Sequence, residues 1–143
     1  MIFSKKTWRF KLDTDFEYQS ELLNGIEFEN KFIKISNGII LIRKEYAWDG
    51  CSPAYKLNLG SLLPQGLWFG TWDGPCNTNG LPVSWRASIV HDAICQFRAD
   101  ILISKKTSVN IFKELLIKDL APKWMYTIYP LFVSMFGPQK WNK

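Results

Sequence analysis

His91 is the chain's one histidine, and Asp92 follows it directly in the stretch "ASIVHDAICQF" at 87–97. A histidine near a carboxylate is a pairing that general-base chemistry uses. The imidazole takes a proton from water, and the carboxylate binds a cation or steadies the charged ring. Adjacent side chains on a helix point about 100° apart, so a direct dyad between these two is excluded. His91 would share a face with Ala87, Ser88, Ile94 and Cys95, and Asp92 would lie alongside Ser88 and Gln96. Two separate jobs around one pocket remain open to them: His91 polarising a water, Asp92 binding a cation or tying down backbone N–H groups. A purely structural use fits the same residues. Asp92 would then accept N–H bonds from the preceding loop while His91 bonds a carbonyl, because buried polar groups need partners.

A second constellation is metal-ligating. His91 and Cys95 are spaced i and i+4, and Cys51 and Cys76 stand in flanking turns, so the four could form a Cys₃His zinc site. There is no CxxC knuckle, and free cysteines commonly pack as small apolar residues, so no metal is favoured. A Cys–His nucleophile pair using Cys95 meets the same objection, since a thiol inside a helix usually packs. The chain has no phosphate-binding P-loop, no dinucleotide fingerprint and no Gly-x-Ser-x-Gly elbow.

These residues must be held by something, and the chain divides into three parts. Residues 7–48 read as an antiparallel β-meander: "TWRFKL", "FEYQS", "IEFEN", "KFIKIS" and "GIILIRKEYAW" alternate or run apolar and β-branched. Turn signals separate them, the strongest being Asn37–Gly38. Residues 49–83 are dense in Gly, Pro, Asn and Asp and read as an ordered connector. Within it, the 48–53 and 70–77 loops carry Asp49, Gly50, Asp73 and Gly74 as candidate binding residues beside the His91–Asp92 turn.

Residues 84–138 read as helical. Ser84 is placed to cap a helix over 85–98 with Trp85, Ile89, Ala93 and Phe97 in one stripe. Ser104 and Thr107 open a second, with Phe112, Leu115, Leu116 and Leu120 on its face. Pro122 starts a third carrying Met125, Ile128, Tyr129, Phe132 and Phe136; Gly137–Pro138 stops it, and Pro130 predicts a kink near Tyr129.

Totals bound the rest. A chain of 143 residues, 47% hydrophobic, is one domain with a real core. Its net charge of +5 suits an anionic partner, but the lysines are scattered and no run marks a basic tail, so nucleic acid is not favoured. "MIFSKKTWRF" lacks the apolar region of a signal peptide, and no stretch is long and apolar enough to span a membrane. The expectation is cytoplasmic synthesis without a disulfide framework.

"YAWDGCSPA" (46–54), "GTWDGP" (70–75), "ASIVHDAICQF" (87–97), "SKKTSVNIFKELL" (104–116) and "MYTIYPLFVSMFGPQKW" (125–141) occur in that order. Together they resemble the phage and bacterial domain-of-unknown-function family 1353. Its pattern is an Asp-Gly-x-Ser-x-Pro turn, a His-Asp-x-x-Tyr helix, an Ala-Asp helix and a closing helix ending in Gly and an aromatic. The resemblance covers about residues 46–141, and it implies a phage-type accessory protein without an established activity.

The His-Asp helix is also similar to that of the secretory and parvoviral phospholipases A2. That resemblance implies His91 as the base, Asp92 as a Ca²⁺ ligand and "GTWDGPCN" as the calcium loop. Two positions depart from both patterns: Cys95 stands where Tyr is expected, and Ser108–Val109 where Ala-Asp is expected, with Asn110 the nearest polar residue. That missing carboxylate would have fixed the tautomer of His91.

The sequence therefore predicts a single α+β domain, with an N-terminal antiparallel meander, an ordered connector and three C-terminal helices. Its expected function is that of a non-enzymatic virion or host-interaction protein, in virion or host cytoplasm, with a structural His91–Asp92 site and no cofactor. Its partners would be other phage or host proteins. The alternatives are a calcium-dependent ester (lipid) hydrolase working at a lipid surface, and a zinc-stabilised binding domain.

Overall fold

In a computed structural model the structure describes residues 10–48, 55–57, 67–69, 82–136 and 140–141. The fold is α+β, an antiparallel sheet region followed by three helices. The strands of the first part are β1 (Phe10–Lys11), β2 (Phe16–Gln19), β3 (Phe28–Glu29), β4 (Ile33–Ser36), β5 (Ile39–Ile42) and β6 (Ala47–Trp48). Their order is β2-β5-β4-β3, with β1 and β6 forming a separate antiparallel pair. Consecutive β3, β4 and β5 make the meander, and β2 returns to lie beside β5 rather than β3.

The reason is local. After β2, Ser20 caps a single 3-10 turn, Glu21–Leu23, by accepting the Leu22 N–H at 3.1 Å. That turn carries the chain away before β3 begins. The β4–β5 hairpin closes on Asn37 (φ 53°) and Gly38 (φ 75°), the two left-handed residues of a type I′ turn. The run "GIILIRKEYAW" does not stay one strand. Glu45 adopts φ 77° and its N–H bonds the Leu12 carbonyl at 2.9 Å, so β5 and β6 join different partners.

Pairing puts one apolar ladder on one face. Ile33 opposes Ile42 and Ile35 opposes Ile40, all four fully buried, while Tyr18 opposes Ile40 from β2 and Phe28 opposes Ile35 from β3. Glu17, Gln19 and Lys34 alternate onto the other face and are exposed.

The connector is not wholly irregular: β7 (Tyr55–Leu57) pairs antiparallel with β8 (Leu67–Phe69) within it. The helices are α1 (Trp85–Gln96), α2 (Lys105–Lys118) and α3 (Lys123–Phe136). Across the sheet, α1 runs from Trp85, edge-on to Phe16 of β2 at 5.9 Å, to Phe97 just past its end, 6.5 Å from Phe28 of β3. Trp48 pins β6 to it; its indole N–H donates to Ser88 Oγ at 3.0 Å and its ring meets Trp85 edge-on at 5.1 Å.

Three expectations about the helices are corrected. Ser84 holds the N-cap position of α1 but makes no side-chain cap bond, its ψ of 2° being wrong for one. Leu120 is not on the buried face of α2. The helix ends at Lys118, and Leu120 (φ 60°) is the left-handed residue of a Schellman closure, 87% exposed. Its N–H reaches the Ile117 carbonyl at 3.1 Å and the next N–H, of Ala121, reaches that of Leu116 at 2.9 Å. On α3, Met125 and Tyr129 are buried as expected, but Ile128 faces out.

Candidate functional site

The α1–α2 hairpin decides where the His91–Asp92 turn points. Arg86 at the start of α1 grips Asp119 at the end of α2, and His91 meets Phe112 edge-on at 5.3 Å in the middle. Near the far end, the fully buried Ser108 hydroxyl is close enough to the Cys95 thiol to act on its pKa, though it makes no hydrogen bond to it. These three rungs make the helices antiparallel and place His91 and Cys95 in the seam between them.

His91 is only 7% exposed. Cys95 Sγ lies 3.7 Å from Nδ1 and 3.5 Å from Nε2, so one sulfur faces both ring nitrogens. Asp92 Oδ1 is 4.0 Å from Nδ1, too far for a hydrogen bond, as the helix geometry requires. Burial pushes the imidazole pKa down to about 4, because a charged ring in this seam loses its water. Burial also pushes the Cys95 thiol up to about 12, helped by the Asp92 carboxylate and opposed by Arg98 and Ser108. Near neutral pH the pair is therefore a neutral ring against a protonated thiol.

Asp92 is half-buried at the rim and close enough to raise the pKa of Tyr46 as well, although burial of that phenol is the larger cause. The Tyr46 hydroxyl donates to Gln96 Oε1 at 3.0 Å, so β6's entry segment is tied to the last turn of α1. The site at the exposed edge of the His–Cys seam is thus built from Tyr46, Asp92 and Gln96.

Of the residues singled out from the sequence, the structure brings His91, Asp92 and Cys95 together. Asp49, Gly50, Cys51, Asp73, Gly74 and Cys76 lie outside the described residues. Among the described residues no three His, Cys, Asp or Glu side chains converge as a metal site would require.

A second polar cluster had no sequence signal beyond the i,i+4 spacing of Glu114 and Lys118. The Tyr18 hydroxyl donates to Glu114 Oε1, Ser20 Oγ donates to Oε2 at 3.3 Å, and Lys118 Nζ lies 3.6 Å from the same carboxylate. Beside it, Arg86 Nε contacts both Asp119 oxygens at 3.0 Å and Nη2 reaches Oδ1 at 2.8 Å, with the guanidinium 5.7 Å from the centre of the Tyr18 ring. An open groove lined by Gln19, Ser20, Glu21, Asn24, Glu114 and Lys118 adjoins this cluster. Its groups pair with one another across the sheet–helix junction, which is a fastening rather than a set of reactive groups.

Comparison of the chain with family models, with curated proteins and with solved structures finds no match.

Proposed function

We propose that the protein is a phage-type accessory protein that acts by binding, as a virion or host-interaction component, and that its His91–Asp92 turn is structural. The observation that carries the structural half is the seam around His91. A general base works best with a pKa near the operating pH and with one nitrogen open to a reacting water. Here the ring is buried, its pKa is pushed to about 4, and a single thiol faces both nitrogens. Cys95 and Val109 stand where a water-activating version would place Tyr and a carboxylate. The phage half rests on the resemblance of the ordered motifs between 46 and 141 to domain-of-unknown-function family 1353.

The test sets binding against calcium-dependent ester hydrolysis. Purified protein is incubated with phospholipid vesicles and calcium while fatty-acid release is followed, and its melting temperature is measured with and without calcium. The expected result is no release and no calcium-dependent rise in melting temperature. Calcium-dependent release by the wild type that is absent in His91→Ala would overturn the proposal.

A further inference from the structure

We propose that α3 lies flat on an anionic lipid bilayer through the face it turns away from the domain. A helix packed on a small domain normally carries polar residues on its outer face. The outer face of α2 largely does so: Lys106, Asn110 and Lys113 are exposed on it, and Ile117, 47% exposed, is its one large apolar residue. The outer face of α3 does not: Trp124, Ile128, Leu131 and Met135 are 48, 42, 59 and 67% exposed. Their spacing of four, three and four residues confines them to an arc of roughly 60°. The residues that hold α3 to the core, Met125, Tyr126, Tyr129, Pro130 and Val133, centre on the other side, and the half-exposed Trp124 ring lies edge-on to Tyr129 at 5.8 Å.

Size and charge decide what this face meets. The four residues offer roughly 500 Å² of surface, the size of the largest apolar patch on an ordinary monomer, which is often functional, and short of the ~800 Å² per partner of a standard protein interface. Residues 121–143 contain Lys123, Lys140 and Lys143 and neither Asp nor Glu. Lys123 and Lys140 are exposed. Lys123 precedes Trp124 at one end of the stripe and Lys140 lies past the other end, its carbonyl accepting from Arg98, so basic groups flank the face and acidic headgroups complement them. Trp124 supplies the amphipathic ring favoured at the headgroup level. No described helix is long and apolar enough to cross a membrane, which fits a helix lying in the interface plane. This surface stands on residues other than the His91 seam, and the inference does not depend on how that seam is read.

Flotation of the full chain with vesicles tests it, using phosphatidylcholine alone and phosphatidylcholine containing a quarter phosphatidylglycerol. Binding is expected to the anionic vesicles, weakened by high salt. Leu131→Asp should weaken it by roughly tenfold or more, since an apolar anchor becomes a charge facing like charge. The double variant Lys123→Glu, Lys140→Glu should weaken it too, and both should melt as the wild type does. Failure to bind anionic vesicles, equal binding to neutral ones, or indifference to Leu131→Asp would overturn the proposal. So would a concentration-dependent dimer abolished by Leu131→Asp, or a fall in melting temperature showing that the stripe packs within the chain.

Discussion

Protonating His91 should destabilise the fold, and the size of the effect follows from its burial. In the unfolded chain an ordinary histidine has a pKa of about 6.5, whereas in the α1–α2 seam the value is about 4. Between those values the unfolded state binds the proton and the native state does not, so stability falls as pH falls. The contribution is fully present above about pH 7 and disappears progressively toward pH 4. The whole window is worth about 3 kcal/mol, of which roughly 2 kcal/mol is lost by pH 5, before most carboxylates titrate. Urea unfolding at pH 7.5 and pH 5 measures the difference. His91→Gln is the control: it loses the contact with Phe112 and lowers stability at both pH values, but its pH slope should be nearly flat. A wild type equally stable at both values, or one whose imidazole titrates near 6.5 by NMR, would refute the reasoning. So would a slope that His91→Gln leaves unchanged.

Leu120→Gly should raise stability by about 1 kcal/mol, because a left-handed position strains any residue with a Cβ; thermal melting would show it. Gly38→Ala should lower it by about 1–2 kcal/mol in denaturant titration, since φ is +75° and the new Cβ would sit 2.4 Å from Asn24 Oδ1. Arg86→Lys keeps the charge but loses the fork that grips Asp119, and urea unfolding should show a cost of about 1 kcal/mol.

The sequence made the sheet legible wherever a local rule acted alone. Asn37–Gly38 predicts the β4–β5 hairpin because only a few residues accept two left-handed positions in succession, and Ser104 predicts the start of α2 by its cap. Leu120 was misleading because apolar periodicity continues past the point where the backbone reverses. Ile128 was misleading because α3 is apolar almost all round, so its sequence does not say which side meets the core. For the site, residue types left His91 open between chemistry and structure. The depth of the seam around it is a tertiary property, set by Phe112 and Ser108 of another helix. The Tyr18–Glu114 link joins residues 96 positions apart and leaves no local pattern at all.

That link, and the isoleucine ladder beneath it, bear on how the chain is made. Ile33, Ile35, Ile40 and Ile42 can pair as soon as the first hairpin leaves the ribosome, within microseconds of its turn being free. Helices α1 and α2, which complete the core with them, are synthesised much later; α2 supplies Leu115 and Leu116. At ordinary translation rates the interval from Ile42 to Leu116 is roughly 4–15 s. For that time the nascent sheet presents a bare apolar face and unpaired edge strands, the form of surface that chaperones hold and that aggregates when they do not. Slow elongation through the connector would lengthen the exposure. Yield from a cell should therefore depend on synthesis rate and chaperone supply more than on the stability of the finished fold.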